Sequence, residues 1–188
     1  MKIILGSQSV YRKKILEEMG IDFEVMVSGI DEKAIRCEDP KELVAALAKA
    51  KADAIKPNIS EPAILITSDQ VVVWKNEIRE KPESAEEARE FLESYGESPA
   101  ETVTAVAVTN LVTGESLTEV DIAKVYFNPF SSDDIDGIIA EGEVFYLAGG
   151  FSIDGEKWEN HIERIEGTRD SVIGLPKEIT RRLIDEVI

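Results

Sequence analysis

The chain has 188 residues, 43% of them hydrophobic, and sets 21 Lys+Arg against 38 Asp+Glu for a net charge of −17. That apolar content excludes a mostly disordered chain, and so acidic a balance excludes the basic footprint of a nucleic-acid binder and disfavours anionic membranes. Cys37 is the only cysteine, so no intrachain disulfide or CxxC metal site is possible, no apolar run reaches transmembrane length, and IILG is too short for a signal peptide. The expectation is one cytoplasmic domain spanning 1–188.

Residues 2–5 read as a short buried strand followed by a Gly-Ser turn. Ser9 is placed to cap a helix carried by Ile15, Leu16 and Met19, with Gly20 just past its end. FEVMV at 23–27 is a second strand. Asp39-Pro40-Lys41-Glu42 then supplies an N-cap, a first-turn proline and a capping-box Glu. That helix runs to about Ile55 on Leu43, Val44, Leu47, Ala48 and Ala52. AILITSD and VVVW are strand-like, with a turn at Asn76 and Glu77. Ser84 and Glu87 cap a further helix ending near Gly96. Segments 101–112 and 116–127 form a hairpin through Thr113-Gly114. A helix from about Ser132, a Gly-rich turn at 149–150 and a helix after Pro176 complete the chain. Strands and helices alternate outside the hairpin, which predicts an α/β sandwich with a mixed sheet.

The first turn gathers cations in an acidic chain: Arg12, Lys13 and Lys14. A strand, a Gly-Ser turn and a helix N-terminus present backbone N–H groups, hydroxyls and a positive dipole end to an anion, and Arg12 can fork onto phosphate oxygens. The alternative is a capped surface helix whose cations pair with Glu17 and Glu18. Asp31 and Glu32 follow a strand and a glycine, and Asp69 sits where ILITSD runs out. Carboxylates at strand ends suit metal or acid–base chemistry, and magnesium takes one or two of them while phosphates and water complete its shell; turn chemistry is the competing account. Lys51, on a different helix face from Lys49, or Lys81, ahead of Pro82, could neutralise phosphate, or both are solvated. His161, the single histidine, excludes a multi-His zinc site and reads as structural or exposed. Trp74 and Trp158 read as packing residues. SDDIDGIIAEGE at 132–143 imitates a calcium loop but starts on Ser132, and an amphipathic helix through Ile135, Ile138 and Ile139 fits better.

Taken in order, these stretches resemble the Maf-type nucleoside triphosphate pyrophosphatases. The S-x-S-P-R-R opening is Ser7 to Arg12, the D-E pair is Asp31-Glu32, and A-x-x-K-A is Ala48 to Ala52. Ser68-Asp69-Gln70-Val71, Lys81-Pro82, Ala148 to Phe151 and Val172 to Pro176 continue the series. The resemblance implies a fold related to the inosine-triphosphate pyrophosphatases and cleavage of a nucleoside triphosphate between its α and β phosphates, with Mg²⁺ or Mn²⁺. It implies Asp69 as proton acceptor, Glu32 and Asp69 as metal ligands, and Ser7, Ser9, Arg12, Lys51 and Lys81 as triphosphate ligands. A homodimer is also compatible with it.

Three departures bear on the base. Tyr11, Gln70 and Asp154 stand where pyrimidine-specific members carry Arg, Thr and Gln, and they look like the branch that acts on 7-methyl-GTP. N7-methylguanine is cationic, so an aromatic face can stack on it and a carboxylate can accept from its N1–H and N2–H edge. The alternatives are a dTTP/UTP/CTP pyrophosphatase and a non-catalytic nucleotide-binding regulator of cell division.

Overall fold

The computed structural model describes residues 1–188, which form two compact units. The first contains residues 1–70, 104–121 and 173–188; the second contains 71–103 and 122–172. The strands are β1 (Lys2–Leu5), β2 (Glu24–Val25), β3 (Ala63–Trp74), β4 (Glu77–Arg79), β5 (Ala100–Asn110), β6 (Ser116–Phe127) and β7 (Ile162–Glu166). The helices are α1 (Val10–Glu18), α2 (Pro40–Ile55), α3 (Ala85–Ser94), α4 (Ser132–Glu141), α5 (Glu156–Glu159), α6 (Arg169–Ile173) and α7 (Lys177–Val187). The sheet order is β2-β1-β3-β5-β6-β7 with β4 on β3, and β3, β5 and β6 contribute residues to both units. The expected mixed α/β architecture is present: β2 and β3 lie parallel to β1, while β4 and β7 pair antiparallel with β3 and β6.

In the first unit the strand residues alternate between two apolar layers, as the twofold period of a strand requires. Leu5, Ile64 and Ile66 join Ile15 and Leu16 of α1 and Leu183, Ile184 and Val187 of α7. Ile4, Ala63 and Leu65 face the other way, onto Ala52 and Ile55 of α2. A sheet covered on both faces explains why AILIT is apolar without interruption. The chain leaves β1 through α1 to β2 on one side, then passes through α2 to β3 on the other. This reversal makes the carboxyl end of β1 a switch point, where open α/β sheets take their ligands.

The caps sit where the sequence places them. Ser9 Oγ accepts from Arg12 N, Asp39 from Lys41 N and Glu42 N, and Ser84 Oγ from Glu87 N. Other elements differ from expectation. AILITSD and VVVW are one strand of 12 residues, whereas β2 keeps only two residues because β1 offers it only Ile4 and Leu5 as partners. The turn after Trp74 falls on Lys75 and Asn76, both at positive φ (46° and 71°), the arrangement of a tight hairpin. The calcium-loop imitation is α4, closed by a Ser131–Asp134 capping box. In the second unit β7 is an added strand whose exposed Glu163, Arg164 and Glu166 hid it from apolar periodicity. His161 stacks on Phe130 at 4.3 Å, which makes it a packing residue.

Gly6, one residue past β1, lets β1 and β3 approach closely, and its N–H donates to Ile66 O at 2.7 Å. A Cβ there would lie 2.5 Å from Thr67 Cγ2 and 2.8 Å from Ile55 Cδ1. Gly6→Ala should therefore cost about 1–3 kcal/mol through overpacking. Urea unfolding is expected to show a lower midpoint at unchanged slope; an unaltered midpoint would mean that the strand ends relax freely.

Candidate functional site

Strand β3 continues beyond β1: the pairing stops at Leu5 with Ile66, and Thr67 to Gln70 run on without that neighbour. Alternation then divides these four residues between the faces. Thr67 and Asp69 turn toward α2, where Thr67 Oγ1 donates to Ala48 O at 2.7 Å and Asp69 meets Lys51. Ser68 and Gln70 turn the other way: Ser68 Oγ donates to Gly174 O at 2.9 Å and Gln70 Nε2 to Thr104 Oγ1 at 2.8 Å.

Lys51 Nζ is the centre of the cluster. It lies 2.6 Å from Asp69 Oδ1 and 2.8 Å from Glu32 Oε1, so two carboxylates share one ammonium. Lys51 and Asp69 are buried at 8% and 6% exposure, while Glu32 is exposed at the start of a single 3₁₀ turn. Asp31 caps that turn, accepting from Lys33 N at 3.1 Å, and so serves the turn itself. Burial raises the Asp69 pKa above the ordinary aspartate value; Lys51 and Arg12 pull it down, and Glu32 pushes it up again.

Arg12 sits in the same cluster, and its guanidinium is directed at backbone. Nε donates to Gly174 O at 3.0 Å and Nη1 to Ser68 O at 2.7 Å. The expected fork is therefore closed, in this state, on two carbonyls of the protein instead of being open to phosphate. One of them, Ser68 O, belongs to the peptide leading into Asp69. Burial lowers the Arg12 pKa, against the attraction of Asp69 and Glu32. Gly174 has φ +103°, and a Cβ on it would lie 3.1 Å from Gln70 Oε1 and 3.4 Å from Arg12 Nη2. Ser7 Oγ accepts from Ser9 N at 3.2 Å and Ser9 Oγ from Arg12 N at 3.4 Å, so both hydroxyl oxygens organise the turn into α1.

The first unit thus brings together Ser7, Ser9, Arg12, Glu32, Lys51, Asp69 and Gln70. Lys81 and Asp154 belong to the second unit, where Lys81 is exposed and Asp154 Oδ1 accepts from Arg169 Nη2 at 2.7 Å. Thr67, Thr104 and Arg169 are additions, and Ser68 and Gly174, which the sequence offered only as members of motifs, gain contacts of their own. Ser68, just before Asp69, and Gly174, just before Leu-Pro, carried a sequence signal; Thr67, Thr104 and Arg169 carried none.

No three or more His, Cys, Asp or Glu side chains are grouped to hold a metal. The donor set at Lys51 is two carboxylates on one cation-sized position. It fits magnesium or manganese only where phosphate oxygens and water supply the remaining ligands, which is magnesium's usual habit.

Two cations and two carboxylates beside a capped helix N-terminus, at the carboxyl end of parallel strands, define an α/β protein equipped to handle a phosphorylated ligand. The chain belongs to the Maf-like protein family, which matches residues 2–187. It is 42% identical to the 7-methyl-GTP pyrophosphatase of Dictyostelium discoideum over 98% of this chain and 96% of that one. It is 32% identical to the dTTP/UTP pyrophosphatase of Alkaliphilus metalliredigens, over 93% and 90% of the two chains. Against the crystal structure of a nucleoside-triphosphatase / dITP/XTP pyrophosphatase from Mycobacterium abscessus the identity is 13% and the TM-score 0.42, over 99% and 97%. That likeness is distant, and the α/β fold stands on the strand order above.

The raised Asp69 pKa has a consequence for stability. The folded carboxyl holds its proton at a pH where the unfolded chain, near 3.8, has lost it. The native state binds more protons in that window, so stability falls as pH rises from about 4 through the raised value. Asp69→Asn removes this term, and Lys51 keeps Glu32 as partner. In chelator-treated protein at pH 7 the variant should unfold at the same or a higher urea concentration than the wild type, with a weaker pH dependence. A loss exceeding about 1 kcal/mol would show that the ion pair, not desolvation, dominates.

Proposed function

We propose that this chain is a nucleoside triphosphate pyrophosphatase acting on 7-methyl-GTP or a related modified nucleotide, releasing the nucleoside monophosphate and pyrophosphate. The observation that carries the reading is the Lys51 ammonium held between Asp69 and Glu32 at the end of β3. The substrate class is supported by the names of both relatives above, each a pyrophosphatase of nucleoside triphosphates.

In this reading the Asp69 carboxylate accepts a proton from water as the water oxygen bonds to the α phosphorus. The bond from that phosphorus to the bridging oxygen breaks, and pyrophosphate leaves with the bonding pair. A base whose pKa is raised from the ordinary aspartate value is better matched to neutral pH. Lys51 neutralises phosphate charge from a buried position, where a fixed cation acts strongly. Glu32 and Asp69 would hold Mg²⁺ or Mn²⁺, which would supply further charge neutralisation on the phosphate oxygens. Ser7 and Ser9 retain hydroxyl hydrogens to donate to an anion at the start of α1.

Base preference rests on Tyr11, Gln70 and Asp154. A tyrosine face stacked on a cationic purine contributes up to about 2 kcal/mol when desolvated. The Gln70 amide is pinned by Thr104, which fixes the direction its oxygen presents. The pairing of Asp154 with Arg169 favours a second reading, a dTTP/UTP pyrophosphatase, because the arginine offsets charge that a cationic base would use.

Pyrophosphate release should be measured over GTP, 7-methyl-GTP, dTTP, UTP and CTP with magnesium and with manganese. The expected result is fastest turnover of 7-methyl-GTP and a loss of at least about a hundredfold in Asp69→Asn. Full turnover by that variant would remove Asp69 from its role. Tyr11→Arg combined with Asp154→Gln should lower the 7-methyl-GTP to UTP ratio of kcat/KM about tenfold, a difference of about 1.4 kcal/mol. An unchanged ranking would discard the base assignment, and faster UTP turnover by the wild type would favour the second reading.

A further inference from the structure

The second unit buries a cation that the proposed reaction does not use. Arg79 is 2% exposed, and its guanidinium lies 4.3 Å from the Trp74 ring, 4.5 Å from Phe91 and 5.2 Å from Tyr95. Nη1 donates to Ser94 Oγ at 2.7 Å, and Glu77 approaches Nη2 at 3.7 Å. Nε has no hydrogen-bond partner. A buried guanidinium with three rings close around it and a bond to Ser94 has little room to move.

The cage leads to a backbone contact. The Tyr95 hydroxyl donates to Gly149 O at 2.6 Å, and Gly149 N donates to Glu80 O at 2.9 Å. Gly149 has φ +65°, and a Cβ on it would lie 2.6 Å from Val72 Cγ2 and 2.8 Å from Tyr95 Oη, so only glycine fits. A Cβ on the next residue, Gly150, would lie 3.3 Å from Pro82 Cγ. Glu80 and Pro82 are therefore both seated on the 149–150 turn. Lys81, between them, is exposed.

We propose that Tyr95, set in place by Arg79, is a positioning residue for Lys81: through Gly149 and Glu80 it fixes the backbone that carries the Lys81 ammonium. The inference rests on the reading of Lys81 as a substrate ligand. A lysine loses much side-chain freedom on binding phosphate, so a backbone held beforehand leaves less to order. Tyr95→Phe keeps the ring in the cage and deletes the hydroxyl, with its bond to Gly149 O and its contact with Arg79.

The test is a double-mutant cycle on Tyr95→Phe and Lys81→Ala, with KM and kcat measured on the substrate of the panel that turns over fastest. Lys81→Ala should raise KM roughly tenfold and Tyr95→Phe roughly threefold, with kcat within about twofold, and the double variant should be no worse than Lys81→Ala alone. Effects that multiply, or a Tyr95→Phe KM equal to wild type beside a raised Lys81→Ala KM, would overturn the inference and leave the function of the chain intact. An unchanged KM in Lys81→Ala would overturn the substrate role of Lys81 and the inference with it. Should Tyr95→Phe fail to fold, Ser94→Ala, which removes the bond from Arg79 and the Ser94 hydroxyl bond to Phe91 O, takes its place in the same cycle with the same expectations.

Discussion

The site depends on one ammonium shared by two carboxylates, of which Asp69 is buried with it and Glu32 is exposed. Lys51 is long enough to reach from α2 to the end of β3, and it meets Asp69 at 2.6 Å and Glu32 at 2.8 Å. Removing two charges from water is costly, and their mutual attraction offsets that cost only in part. The direction of the Asp69 pKa says which effect wins here: burial outweighs the two cations nearby, and the carboxyl holds its proton more tightly than an exposed aspartate would. The arrangement is therefore poor as a stabilising device and well suited as a reactive one, since a carboxylate that resists ionisation is a stronger base once ionised.

The rest of the first unit holds this pair in register. Because strands alternate, Asp69 faces α2 only if Thr67 does, and the Thr67 hydroxyl is tied to Ala48 O, one turn before Lys51. A slip of one residue in β3 would exchange Asp69 with Ser68 and destroy the cluster. Gly6 allows β1 to end close against β3, and Gly174 leaves room on the opposite face for Gln70 and the Arg12 guanidinium. Arg12 then bonds the carbonyl of Ser68, on the stretch that β1 does not flank. The opening cation thus acts on the catalytic candidate through the backbone and through its charge.

The individual parts of this site were legible in the sequence, and their connections were not. Caps at Ser9, Asp39 and Ser84 act over three residues, so local spacing was enough to locate α1, α2 and α3. Asp69, Glu32 and Lys51 could each be singled out by residue type and position. Their convergence depends on which face of β3 opposes which face of α2, and that register is set by the packing of Leu65 and Ala63 on Ile55 and Ala52. Asp31 and Glu32 are adjacent in sequence and equivalent in chemistry; only the 3₁₀ turn separates them, making one a cap and the other a partner of Lys51. The short α5, α6 and β7 were invisible for a different reason: four or five residues with charged flanks carry no readable period.

The cation cluster in α1 also has a reason at the scale of the whole molecule. A net charge of −17 repels a triphosphate at distance, so attraction must come from close range, inside the roughly 8 Å over which physiological salt leaves a charge effective. Lys51 is buried and Arg12 partly so, and a charge drawn back from bulk water counts for more than one on the open surface. Neither is free in the absence of ligand: one is bonded to carbonyls, the other to carboxylates. Charges satisfied in this way cost less to keep buried than bare ones, and an incoming anion has to compete with the partners already present.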